Sequence, residues 1–316
     1  MSDTQSPART GQRRGLALGC GGTLGFAWTV GALAAIRDVT GWEARDADAL
    51  IGTSAGAEMT VLLGSDSSVD ELISLVRGGD DIPDELADYR NGAPGALPPI
   101  PRFSLGSPRL ATRRHLPGLS RASGLAPVGR GKPRFLRSLA RARVSADGWL
   151  PHGSAWLVGM DYDTGERVAF GSPGAEPASL ADALCASWAI PGWFPPVRIG
   201  GRRFVDGGAS STASADLLIP LGLDEVIVIA PMASAAPVRP RGMGRVENRV
   251  LRRPMTTGLL RETEALKNAG TRVVTLTATD EDLSVMGANF MDPGKQLAAF
   301  ESGRHTARLA LTELRR

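Results

Sequence analysis

Ser54 stands in Gly52-Thr53-Ser54-Ala55-Gly56, a G-x-S-x-G pentad. A serine becomes a nucleophile when a tight strand-to-helix turn exposes its hydroxyl, and small flanking residues permit the crowded backbone of that turn. Such a serine also begins a helix, where the dipole favours developing negative charge. Upstream lies Gly19-Cys20-Gly21-Gly22-Thr23-Leu24-Gly25, a loop whose amides can converge on an anion. It fits a dinucleotide cradle only with Cys20 in the place of a first glycine, and no Gly-Lys-Ser/Thr follows it. With a serine elbow one strand later, an oxyanion hole is the better reading. Downstream, Asp206-Gly207-Gly208 offers a carboxylate that adjoining glycines leave accessible, a base for the serine. A lone Asp-Gly-Gly is also an ordinary turn signal.

Each of these motifs needs a strand before it. Leu16-Ala17-Leu18, Asp48-Ala49-Leu50-Ile51 and Arg203-Phe204-Val205 supply the three, and helical runs over 26–37 and 57–63 follow the first two. Further strands are expected at 155–160, 167–170, 225–230 and 272–277, with Asp163-Thr164-Gly165 as a hairpin turn. Strands alternating with helices make an α/β chain. Lys295–Leu314 reads as a last helix, weakened by Gly303.

A serine–histidine–acid triad would need a histidine placed after Ser54, and the chain has three, His115, His152 and His305. The first two fall in or near irregular sequence and the third in the terminal helical run. A triad with His305 stays open at this level, with structural or surface roles the simpler account.

Taken in order, the glycine-rich loop, Gly-Thr-Ser-Ala-Gly and Asp-Gly-Gly resemble the patatin-like phospholipase family. The run Ser187-Trp188-Ala189-Ile190-Pro191-Gly192-Trp193-Phe194-Pro195-Pro196-Val197 also resembles that family's stretch before its Asp-Gly-Gly/Ala. The likeness covers about residues 15–230. It implies a three-layer α/β/α fold with a mainly parallel central sheet, and a Ser–Asp dyad that works without histidine or cofactor. Carried over by position, Ser54 is the nucleophile, Asp206 its base, and Gly21, Gly22 and Thr23 the oxyanion donors. Gly52, Gly56, Gly207 and Gly208 support the motifs. The chain departs from the pattern at Leu24, where members often carry Arg or Lys, and at Cys20, which replaces a glycine. The implied activity is hydrolysis of lipid carboxylic esters through an acyl-enzyme, with a binding module of low activity or an acyltransferase as the alternatives.

The charge pattern isolates one segment. Asn91–Val144 holds eleven Arg or Lys and no Asp or Glu, although the whole chain nets only +3, so the remainder is net acidic. Rich in Pro and Gly, residues 91–146 read as an insertion ending in a basic helix over 133–143. We expect a lid or docking arm for an anionic membrane, with Phe135, Leu136 and Leu139 as a shallow anchor. Nucleic acid is a poor fit, because the segment has only Phe103 before Phe135 for stacking. Residues 1–14 read as a disordered tail before a domain of 15–316. They form no signal-peptide core, and no apolar run reaches the ~18 residues of a membrane span, so a cytoplasmic or peripheral protein is expected. Cys20 and Cys185, far apart in sequence, offer no metal-ligand spacing and read as buried small hydrophobes.

Overall fold

In the computed structural model, which describes residues 11–78, 82–240 and 242–314, alternating apolar side chains sort the strands' residues onto two buried faces. Leu16, Leu18, Leu50, Leu157, Ile227 and Ile229 join one core cluster. Ala17, Ala49, Ile51, Trp156, Val158, Val226 and Val228 join another. Strands this apolar on both sides belong to a sheet covered by helices on both faces. Eight take part: β1 (Arg14–Leu18), β2 (Ala49–Thr53), β3 (Ala155–Asp161), β4 (Arg167–Phe170), β5 (Val197–Ile199), β6 (Arg202–Asp206), β7 (Glu225–Ala230) and β8 (Arg272–Thr277). The ladder runs β5-β6-β3-β2-β1-β7-β8, with β4 also on β3. The pairs β1–β2, β1–β7, β2–β3 and β7–β8 are parallel, and those among β3, β4, β5 and β6 antiparallel.

One feature of the registers positions the chemistry. On β3, residues 155–158 pair with β2 and residues 159–161 pair with β6. β4 pairs across 157–160 and so occupies the other edge. β2 and β6 therefore share a single edge of β3 end to end, and the last residues of both strands meet there.

The helices follow from local signals. α1 (Gly22–Thr40) ends at Gly41, left-handed at φ 72°, whose amide caps Arg37 O. α2 (Ala55–Gly64) follows the pentad, and α3 (Val69–Arg77) opens with a Ser68/Glu71 capping box. α4 (Ala87–Asn91), α5 (Pro108–Thr112), α6 (Gly118–Ser123) and α7 (Arg134–Arg143) carry the chain through the insertion to β3. α8 (Leu180–Ser187) precedes β5. After β7, α9 (Met243–Glu247) runs through a π-turn at Asn248–Arg252 into α10 (Arg253–Asn268). α11 (Asp280–Met286) and α12 (Gln296–Glu313) complete the set. Gly303, a poor helix former by sequence, sits where α12 crosses α1. A Cβ there would run into Trp28 O, so close helix contact explains the glycine.

Two expectations need correction. The tail is shorter than 1–14, because Arg14 already belongs to β1 and the Arg13 amide bonds Asp224 at 2.6 Å; residues 1–10 lie outside the described residues. The basic helix α7 is no membrane anchor: Phe135, Leu136 and Leu139 are all buried in the main core. Two of its four arginines also find acids from outside the segment, Arg137 with Asp182 at 3.1 Å and Arg143 with Glu85 at 3.3 Å. Charge content within the segment could not foresee those partners. Among the described residues no helix is long and apolar enough to cross a membrane.

Candidate active site

Ser54 sits between the end of β2 and the start of α2, with φ 57° and ψ −119°. A non-glycine residue at positive φ is strained, and such strain persists only where the surroundings impose it. Three contacts impose it here. The Ser54 amide donates to Ser187 Oγ at 3.0 Å, and Ser187 donates on to Val158 O at 2.7 Å. The Ser54 carbonyl accepts from the Ala57 amide at 2.8 Å, starting α2. Gly56 lets the first turn of α2 lie against β1, since a Cβ there would collide with Leu18 O. Gly52 faces Gly56 in the same way.

Asp206 ends β6, opposite Gly159, while Thr53 is opposite the adjoining Val158. The two strand ends thus bring the Asp206 carboxylate to the Ser54 side chain, and the two are hydrogen bonded. Asp206 also accepts from the Gly208 amide at 2.7 Å, and its own amide donates to Ala189 O at 3.1 Å. Gly207 packs beside Val158 O and Thr53, and Gly208 beside Cys20. Burial pushes the Asp206 carboxyl up to about 7, although the Ser54 and Gly208 hydrogen bonds oppose the rise. A carboxyl at that value is a competent proton acceptor near neutral pH.

The glycine-rich loop closes the third side. Gly19 N donates to Ile229 O, Cys20 N to Thr212 O and Leu24 N to Phe290 O, at 2.8, 2.9 and 2.9 Å. Between these tethers, no partner is found among the described residues for the amides of Gly21, Gly22 and Thr23. They fall at the start of α1, where backbone donors are free and the dipole is positive. Gly22 holds φ 57°, and a Cβ on it would lie 2.6 Å from Phe290 and Met291 side-chain atoms. The Cys20 thiol is buried and pushed well above its usual pKa, first by burial and then by Asp206 and Glu262, so it stays protonated.

Cys20, Gly21, Gly22, Ser54, Asp206 and Gly208 form the floor of a cavity of about 410 Å³. Its walls come from α6 and the residues after it (Leu119, Ala122, Ala126), from Ile190, Pro191 and Trp193, and from Met232, Leu251, Met255 and Phe290. Asp206 is the one carboxyl among these lining residues, and the remainder of the wall is largely apolar. The insertion therefore supplies one wall of the site.

The sequence model of patatin-like phospholipases matches residues 16–219. The chain belongs to that family. The patatin-like phospholipase fold is the α/β/α arrangement described above, and the family is one of lipid acyl hydrolases. Among solved structures, the crystal structure of VipD from Legionella pneumophila superposes with a TM-score of 0.47 at 14% identity, covering 96% of this chain and 67% of that one.

None of the three histidines lines the cavity. His115 and His305 are exposed, and His152 is held by Ala47 O at 2.7 Å and the Ser154 amide at 3.1 Å. Among the described residues no cluster of three or more His, Cys, Asp or Glu is arranged to hold a metal ion. Two residues to which the sequence reading gave no role also matter to the geometry. Ser187 holds the elbow, as described. Glu58, one turn into α2, is buried and accepts from Tyr89 Oη at 2.6 Å and Trp188 Nε1 at 2.5 Å. Burial raises its carboxyl to about 7 against those two donors. A single carboxylate within the apolar run 57–63 was the available signal for Glu58, and the place of Ser187 at the head of the Ser187–Val197 run was the signal for Ser187.

Proposed function

We propose that this patatin-like protein hydrolyses lipid carboxylic esters with Ser54 as nucleophile and Asp206 as its only side-chain base. The observation that carries the reading is a serine at a strained elbow, hydrogen bonded to a buried carboxyl of raised pKa, on the floor of an apolar cavity. As Ser54 Oγ bonds to the ester carbon, its proton passes to Asp206. The amides of Gly21, Gly22 and Thr23 take the oxyanion. The carbon–alkoxy bond then breaks, and Asp206 returns the proton to the departing alcohol. Water enters, gives a proton to Asp206 and attacks the acyl carbon. Ser54 Oγ leaves, recovers that proton, and a fatty acid is released. Helix dipole and loop amides supply the anion stabilisation that Leu24 cannot.

The apolar walls suit an acyl chain, with the alcohol portion toward the mouth. Docking of the 91–146 segment on an anionic membrane is part of this reading, through exposed residues such as Arg102 and Arg130 rather than through α7. The protein would meet its substrate as a peripheral visitor to that surface.

A fluorophosphonate probe should label the protein but not Ser54→Ala. Ester turnover should be lost in Ser54→Ala and retained in single Ala variants of His115, His152 and His305. A histidine variant as inactive as Ser54→Ala would replace the dyad with a triad.

A further inference from the structure

Large apolar side chains left in solvent flank, in sequence, residues that line the cavity. On the helical run from α9 into α10, Met243, Val246 and Val250 are 72%, 55% and 55% exposed. Their neighbours Leu251 and Met255 line the cavity. Phe103 and Leu105 are likewise exposed, on a segment whose backbone pairs with 126–128, where Ala126 lines the cavity.

The run is held from beneath. Arg252, buried, donates to Pro231 O at 2.7 Å and to Glu247 at 2.8 Å. Its outer side is thereby kept turned to solvent. That side also presents Arg245, Arg249 and Arg253, all exposed and without a carboxylate partner among the described residues. With Glu247 and Asp280 they line an open cleft of about 1360 Å³.

We propose that residues 243–253 are a membrane-docking arm. Met243, Val246 and Val250 enter the interfacial zone of an anionic bilayer, and Arg245, Arg249 and Arg253 pair with its phosphates. Apolar insertion combined with unpaired arginine is the pattern that binds such surfaces. Charge and exposure select an anionic bilayer as the occupant, because its phosphates complement the three arginines and its interfacial zone takes the exposed apolar side chains. The arm is distinct from the insertion's basic helix, whose apolar side is core and has nothing to insert. The inference rests on the lipid-hydrolase reading only for what the docked protein takes up.

Docking can be tested with hydrolysis switched off. Ser54→Ala protein is co-sedimented with vesicles of phosphatidylcholine alone and of phosphatidylcholine with phosphatidylglycerol. We expect binding to the anionic vesicles, weakened by salt. The triple change Arg245→Gln, Arg249→Gln, Arg253→Gln should lower partition on the order of 100-fold. Met243→Ser, Val246→Ser, Val250→Ser together should lower it by a comparable factor. Arg134→Gln, Arg137→Gln, Arg141→Gln on α7 should lower it far less, because the apolar side of α7 is core and has nothing to insert beside its arginines. In the Ser54 background, the arm variants should turn over a soluble short-chain ester at the parent rate, since none of the six residues lines the cavity. Binding to neither vesicle, equal binding to both, a loss in the α7 variant matching that in the arm variants, or lost soluble-ester turnover in the arm variants would each overturn the arm. Vesicle binding by a protein inactive on every ester would uphold the arm and sink the hydrolase reading.

Discussion

Asp206→Asn is expected to inactivate the protein and stabilise it in the same step. The carboxyl is 5% exposed and burial lifts it from 3.8 to about 7. A carboxyl whose folded pKa exceeds its unfolded value holds its proton more tightly when folded. Its contribution to stability therefore declines as pH rises through the window from about 4 to about 7 and stays low above it. Three units of difference correspond to on the order of 4 kcal/mol at pH 8. At pH 5 the folded carboxyl is still protonated while the unfolded one is ionised, and the cost is nearer about 2 kcal/mol. Asparagine removes the ionisation and keeps an oxygen for the Gly208 amide. At about 2 °C per kcal/mol for a chain of this size, its gain in Tm over the parent should be about 4 °C larger at pH 8 than at pH 5. Other titrating groups are common to both proteins and cancel. Calorimetric melts at the two pH values measure this, paired with a pH–rate profile. The parent's kcat/KM should fall to about a tenth of its plateau near pH 6, because the base must be ionised. A gain in Tm no larger at pH 8 than at pH 5, or full parent activity at pH 5, would refute the reasoning.

Gly22→Ala forces a side chain into a left-handed position against Phe290 and Met291. It should lower kcat on the order of 10²- to 10³-fold, the scale of a lost oxyanion donor, with KM little changed in steady-state assays; an equal change in both would make the loop a ground-state binding element. Ser187→Ala leaves the Ser54 amide and Val158 O without their partner. Denaturant titration should show about 1–3 kcal/mol of lost stability, and kcat should fall more than KM as the elbow relaxes. EDTA should leave the rate unchanged, and a loss restored by calcium would reveal a metal in the reaction.

The local parts of this protein were legible in the sequence because local rules make them. Gly52 to Gly56 between an apolar run and a helical run specifies a strand–elbow–helix wherever it occurs. Asp163-Thr164-Gly165 specifies a hairpin, and Gly165 does take φ 80° between β3 and β4. The basic insertion was visible as composition, but the partners of its charges and the burial of α7 were not. A helix with apolar residues on one side reads alike whether that side meets a membrane or a protein core.

What only tertiary structure decided is the meeting of Ser54 with Asp206. No pattern in the sequence says that β6 extends along the same edge of β3 that β2 leaves at Val158. Strand pairing is set by nonlocal hydrogen bonds and by packing on both faces, so register cannot be read from either strand alone. The same holds for the raised pKa of Asp206, which desolvation by the surrounding walls produces. The residue types were settled by the sequence; their shared cavity, and the charge state it imposes, were settled by the fold.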